Sequence, residues 1–324
     1  MFVGDSGHES GPTSDSQHDE ASEDPRSTQR RTSGYDLRAL FQSVGNFSGH
    51  RSLTAEPVER IPPNNPATLL DASPAEVSAE PIEVGAYLDG IQAALDVSYR
   101  GHRPVHLLYV AAGAVNHLYE PVGLREELVL TCSAIDRDWA EGLDGGVPIE
   151  VIEEEVPTEL ERLSLALLAG KREGLERRLT TELAEQGQTP IIVDGSLAGR
   201  PSDVELLGVV KTTRHRYLED ESCLFGLPAG WRSPRFLLPS RDGGESERCS
   251  AYVRMVPAAN LPWDFGLIRV ETFDPDTIDP LAARCLSERQ VAASGDQRWD
   301  RHLTGVRRTE EFLRARRPWV FRGH

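Results

Sequence analysis

The sequence predicts a mixed α/β fold, a sheet flanked by helices, from three observations. The stretch Pro190-Ile191-Ile192-Val193-Asp194-Gly195-Ser196-Leu197 sets three branched apolar residues in a row, as in a short strand buried on both faces. It ends on a carboxylate followed by glycine. A second ending of this kind stands upstream, at Val84-Gly85-Ala86-Tyr87-Leu88-Asp89-Gly90-Ile91. Between the two, Pro157 to Gln186 carries leucines at helical spacing. Buried strands of α/β sheets deliver their C-terminal side chains into the ligand crevice. The pair of Asp-Gly endings therefore points to two carboxylates converging on one site. Either one alone also reads as a common hairpin turn.

Residues 1–34 are rich in Ser, Asp, Glu, Gly, Gln and Thr and poor in apolar residues, so they are expected to be a disordered acidic tail. Tyr35 to Phe41 fits a short amphipathic helix, and the prolines of residues 50–82 fit an extended connector. The body of the protein is expected from residue 83 to 324. Tyr87 to Ser98 and Val105 to Val115 read as two strands joined by a turn over 99–104, and Glu127 to Ile135 as a third. Residues 136–156 are acidic and loop-like. In the long helix Thr158 and Glu161 have capping-box spacing, and Gly170 and Gly174 are candidate kink points. Glu205 to Thr213 is a further strand, carrying Lys211. Residues 214–249 read as irregular, with turns at Gly226, Gly230 and Gly243-Gly244. Ser250 to Val256 and Phe265 to Phe273 read as a closing pair of strands. Asp276 to Ala293 reads as a helix, and a last helix follows His302. An antiparallel meander, then a helix, then a central strand is the order of an RNase H-like mixed sheet with additions.

Several classes of protein are excluded by composition. The most apolar run, Val105 to Val115, is too short to span a bilayer, and the polar acidic N-terminus does not read as a signal peptide. Four cysteines, far apart and without a Cys-x-x-Cys pair, fit a reducing cytoplasmic setting rather than a zinc knuckle or a disulfide framework. No phosphate-loop motif and no Gly-x-Ser-x-Gly elbow occurs. Net charge is −17, but it is unevenly spread. Residues 1–80 hold 13 acids against 6 arginines, whereas Arg298 to His324 holds 8 arginines against 3 acids. A basic face, and with it a nucleic-acid partner, is compatible with the acidic average.

Hard divalent cations need clustered oxygen ligands, and Asp89, Asp194 and a glutamate from the packed helix would supply them. Such a site can polarise a phosphodiester. The candidate glutamates are Glu161, Glu173, Glu176 and Glu182. Glu176 stands at helical spacing from Arg172, so it is either the third ligand or a solvent-facing partner of that arginine. Lys211 either neutralises a phosphate or snorkels to solvent. His302 is a metal ligand or proton carrier, or else a surface or capping residue. Arg301, Arg307 and Arg308 beside it are candidates for tracking a DNA backbone.

Taken together these pieces resemble the NurA nucleases, which act in DNA end processing beside the HerA translocase. The resemblance is carried, in order, by Leu88-Asp89-Gly90, the helix with Arg172 and Glu176, Ile192 to Leu197, Leu207 to Thr212, Ile268-Arg269-Val270-Glu271, and His302, over residues 83–316. It implies an RNase H-like fold, a homodimer, a HerA-like ATPase partner and Mn²⁺-dependent (or Mg²⁺-dependent) cleavage of DNA. Asp89, Glu176, Asp194 and His302 would be metal ligands, with Lys211 beside them. Two positions depart from the family pattern. Ile91 stands where a serine usually follows Asp-Gly, and Trp299 is the nearest aromatic where a tyrosine often precedes the histidine.

Overall fold

The computed structural model describes residues 35–44, 67–211, 217–238, 247–258, 261–289 and 301–321. The expected tail, the first part of the connector, Gly243-Gly244 and Trp299 lie outside them. Twelve strands form one mixed sheet. The three-stranded meander is present, as β3 (Ala86–Arg100), β4 (Arg103–Asn116) and β5 (Pro121–Ser133). Its strands are longer than expected. The turn is confined to Gly101-His102, and β5 begins at Pro121 because the register with β4 continues to that residue. β7 (Ile191–Asp194) lies parallel to β3, and β8 (Leu206–Val210) parallel to β7. β12 (Leu267–Thr272), β11 (Arg248–Arg254) and β10 (Phe236–Leu238) then continue the sheet antiparallel.

The helix α3 (Pro157–Glu185) runs unbroken past Gly170 and Gly174. Leu168, Leu175, Leu179 and Leu183 press onto Ala86, Leu88, Ala112 and Ala114 of the meander. Each such leucine contributes about 1.5–3 kcal/mol by burial. The expected capping box is not formed: Val156 is the N-cap, with Pro157 as first helical residue. Thr158 therefore sits inside the helix. At the other end Gly187, at φ 72°, closes a Schellman cap in which Gln188 N–H donates to Leu183 O (2.9 Å) and Gly187 N–H to Ala184 O (3.0 Å). That reversal aims the chain straight into β7.

The opposite face of the meander is covered by α6 (Thr304–Arg316), where Thr309 Oγ1 donates to Tyr87 O (3.2 Å) and a Cβ on Gly305 would overlap the Tyr87 ring. α1 (Leu37–Val44) buries Leu40 and Val44 in the same layer, as its amphipathic pattern requires. α5 (Ile278–Glu288) packs under β11 and β12 and is shorter than expected.

Three expectations of irregular chain are corrected. Residues 136–156 contain α2 (Arg137–Glu141) and β6 (Ile149–Ile152), which pairs parallel to β5. Ile149 and Val151 pack against the core, while Glu150 meets Lys171 Nζ at 3.0 Å. The 214–249 region holds α4 (Ser222–Phe225) and β9 (Trp231–Arg232) besides β10. The end of the connector supplies β1 (Thr68–Leu69) and β2 (Ala75–Glu76), which pair with β10 and β9. Ion pairs hold this margin: Arg232 and Arg235 both grip Asp71, and Arg232 also binds Asp279. No helix among the described residues is long and apolar enough to cross a membrane.

Candidate active site

The site is built on three parallel strands: β7 ends at Asp194 and β8 just before Lys211, whereas Asp89, expected to end a strand, is the fourth residue of β3, which runs on to Arg100. Leu88 of β3 pairs with Val193 of β7, so Asp89 and Asp194 follow at one level on strands about 4.8 Å apart. Both alternate toward the face of Tyr87 and Ile192, which α6 covers. Asp194 pairs in turn with Val209 of β8, and Lys211 lies two residues farther on the same side. Lys211 Nζ reaches Asp194 Oδ2 at 2.8 Å, and its side chain is only 6% exposed. The snorkelling alternative for Lys211 is therefore not realised.

Asp89 is buried, and its Oδ1 accepts from the N–H of Gly90 (2.7 Å). Burial pushes its carboxyl well above the usual carboxylate range, and the charge of Asp194 pushes it further. Lys211 and the Gly90 N–H oppose this, and Glu310 of α6 adds to it. Acidic charge is thus in excess over the single lysine. Glu310 is a neighbour of the site that the sequence does not point to. Its only sequence signal is a position four residues after the buried Val306 on the last helix.

Of the four candidate glutamates the fold buries Glu176 next to Gly90, on the α3 face of β3 and so opposite to the face that Asp89 and Asp194 share. Its carboxylate is buried against β3: a Cβ on Gly90 would overlap Glu176 Oε1. Glu182 instead binds Arg125, and Glu173 is exposed. Glu161 lies about 22 Å away along the helix. Glu176 is not free to join the aspartates, however, because both oxygens are held by short hydrogen bonds from Arg172 and Arg200. Glu176 and Asp194 line one cleft of about 250 Å³, with Arg172, Arg177 and Arg200.

His302 is 3% exposed and directly precedes Leu303, the N-cap of α6, so it is neither a surface residue nor the cap. The neighbouring Arg301 is turned inward. It donates through Nη1 to Lys211 O (3.0 Å) and through Nη2 to Asp264 O (2.6 Å), which fixes the 301–302 segment beside the end of β8. Arg307 and Arg308 are partly exposed, and both pair with Glu311. Ile91 packs into the core on the α6 side.

Sequence reasoning missed how the turn after Asp194 is held. Glu271 of β12 is fully buried and accepts from Ser196 Oγ (2.9 Å) and Leu197 N–H (2.8 Å). Arg248 and Arg269 neutralise it, at 3.4 and 2.5 Å. The available signal was a pair of charges, Arg269 and Glu271, inside an otherwise apolar strand, which burial tolerates only with partners. We expect Glu271→Ala to cost about 3–5 kcal/mol, because it leaves two buried guanidinium groups without their carboxylate. Urea unfolding of both proteins measures this, and a loss below about 1 kcal/mol would show that the network is not what anchors the turn.

The donor chemistry of Asp89 and Asp194 suits a hard divalent ion: two carboxylates at one level whose mutual repulsion a cation would relieve. Glu176 and His302 do not complete a ready-made set with them. Among the described residues, no group of three or more His, Cys, Asp or Glu side chains is arranged to hold a metal ion. In comparisons with known proteins, no family model matches the chain and no curated protein matches it.

Proposed function

We propose that this chain is a divalent-metal-dependent DNA nuclease of the NurA type, working as a homodimer beside a HerA-like hexameric ATPase. One observation carries the reading: Asp89 and Asp194 stand side by side on two adjacent parallel strands, with the Lys211 ammonium on Asp194. The strand order supports an RNase H-like assignment. From the meander edge inward it runs third, second, first, then β7 and β8, the last two parallel to β3. A bound Mn²⁺ or Mg²⁺ would supply Lewis-acid polarisation of the phosphodiester and activation of water. Asp89 and Asp194 would hold that ion, and Glu176 would join them on leaving its arginines. Lys211 offers positive charge to the non-bridging phosphate oxygens, and His302 offers a proton to the leaving oxygen.

A second reading, a catalytically weak relative that serves as an interaction subunit, is favoured by the engagement of Glu176 with Arg172 and Arg200. A third, action on RNA or RNA–DNA hybrids, uses the same chemistry. Titration of Mn²⁺ and Mg²⁺ against labelled single-stranded, double-stranded and hybrid substrates separates the three. We expect metal-dependent cleavage of DNA. Cleavage of hybrids alone would move the reading to the third, and no cleavage with either metal would leave the interaction subunit.

A further inference from the structure

We infer that the cleft between α3 and the 194–200 turn is a phosphate-binding subsite for the nucleic-acid strand, with Arg177 and Arg200 as its contact residues; this rests on the nuclease reading above. The cleft borders Asp194, so a strand with its scissile phosphate there would lay a neighbouring phosphate along it. Two guanidinium groups in its walls have unused donors. Arg177 is exposed on the rim and makes no side-chain hydrogen bond or ion pair with any described residue. Arg200 has a side chain only 9% exposed, and it gives Nη2 to Glu176, whereas its Nη1 is buried with no hydrogen-bond partner among the described residues. A buried donor without an acceptor is costly, and a ligand oxygen supplies the acceptor. Guanidinium groups match phosphate oxygens with two parallel donors.

The backbone of the opposite wall is open to a ligand. Gly195 and Gly199 adopt φ of 129° and 67°, and beyond its adjacent residues no heavy atom of the described residues lies within 4 Å of the place a Cβ would occupy on either. Glycine at such positions lets a ligand approach the main chain closely. Three arginines face three acids, Glu173, Glu176 and Asp194, around the cleft. The balance turns toward anions once a cation is shared by the acids. These contacts are distinct from those of Arg307 and Arg308, which already pair with Glu311.

The test is fluorescence anisotropy of a short fluorescein-labelled oligothymidylate binding to the whole chain in Ca²⁺, across a range of salt. Arg177→Ala should weaken binding and flatten the plot of log K against log salt by about 0.7, the loss of one phosphate contact on a single strand. Arg177→Lys should keep most of the slope. Arg200→Ala should act in the same direction, and because it also removes a partner of Glu176, thermal melting of that variant is recorded beside it. If the wild type binds and cleaves DNA but Arg177→Ala keeps both its affinity and its slope, the subsite is wrong and the nuclease reading stands. If the wild type binds no oligothymidylate, both fall together.

Discussion

Asp194→Asn is expected to lower metal-dependent DNA cleavage by about 10³-fold or more, the equivalent of ~4 kcal/mol of transition-state stabilisation. Asparagine keeps the shape of the side chain at the end of β7, and the backbone pairing with β3 and β8 does not depend on the charge. Lys211 loses its charged acceptor, which costs about 1–3 kcal/mol of stability. That is less than the 5–15 kcal/mol typical of a domain, so the variant should remain folded. Circular dichroism and a cleavage assay on the same preparation check both halves. Wild-type cleavage by the Asn variant would remove Asp194 from the mechanism.

The second large effect is expected at His302. Its Ala variant should lose about 10²–10⁴ in catalytic rate, the usual contribution of a positioned general acid or base. DNA affinity should change little, because the histidine is buried and its neighbour Arg301 is tied to Lys211 O and Asp264 O. Replacement of Arg307 and Arg308 should do the reverse, weakening binding and flattening its salt dependence. Single-turnover rates and equilibrium binding separate the two outcomes. A His302→Ala protein that cleaves at the wild-type rate would leave the histidine a packing residue at the start of α6.

The parts legible in the sequence are those whose cause is local. Ile191 to Val193 is a run of branched apolar residues because the strand is buried on both faces, and the Asp-Gly that follows marks its end whatever the rest of the chain does. The meander is legible for the same reason; Asp194 and Lys211 come together because β7 ends and β8 nearly ends at them, whereas Asp89 joins them from within β3, where its Asp-Gly marks no strand end. The choice of Glu176 over three other glutamates is not legible in residue spacing and enters only with the family resemblance. It depends on Gly90 leaving room for a carboxylate from another element, a tertiary contact with no local signal. The strand at Ile149–Ile152 was hidden by the acids around it, and the one within it, Glu150, is answered by Lys171 of α3. The short strands of the far margin depend on Arg232 and Asp71, 161 residues apart, a pairing that periodicity cannot reveal. Thr158 and Glu161 had the spacing of a cap, but Pro157 was the stronger signal, since its fixed φ favours the first helical position.

The most direct test of a metal site at Asp89 and Asp194 is calorimetric titration of Mn²⁺ into the whole chain and into its Asp89→Asn and Asp194→Asn variants. The expected result is saturable binding by the wild type, weakened in each variant by at least about tenfold, or ~1.4 kcal/mol. A wild type that binds no Mn²⁺, or variants that bind it as tightly as the wild type, would contradict the assignment of these two aspartates as the metal-holding pair.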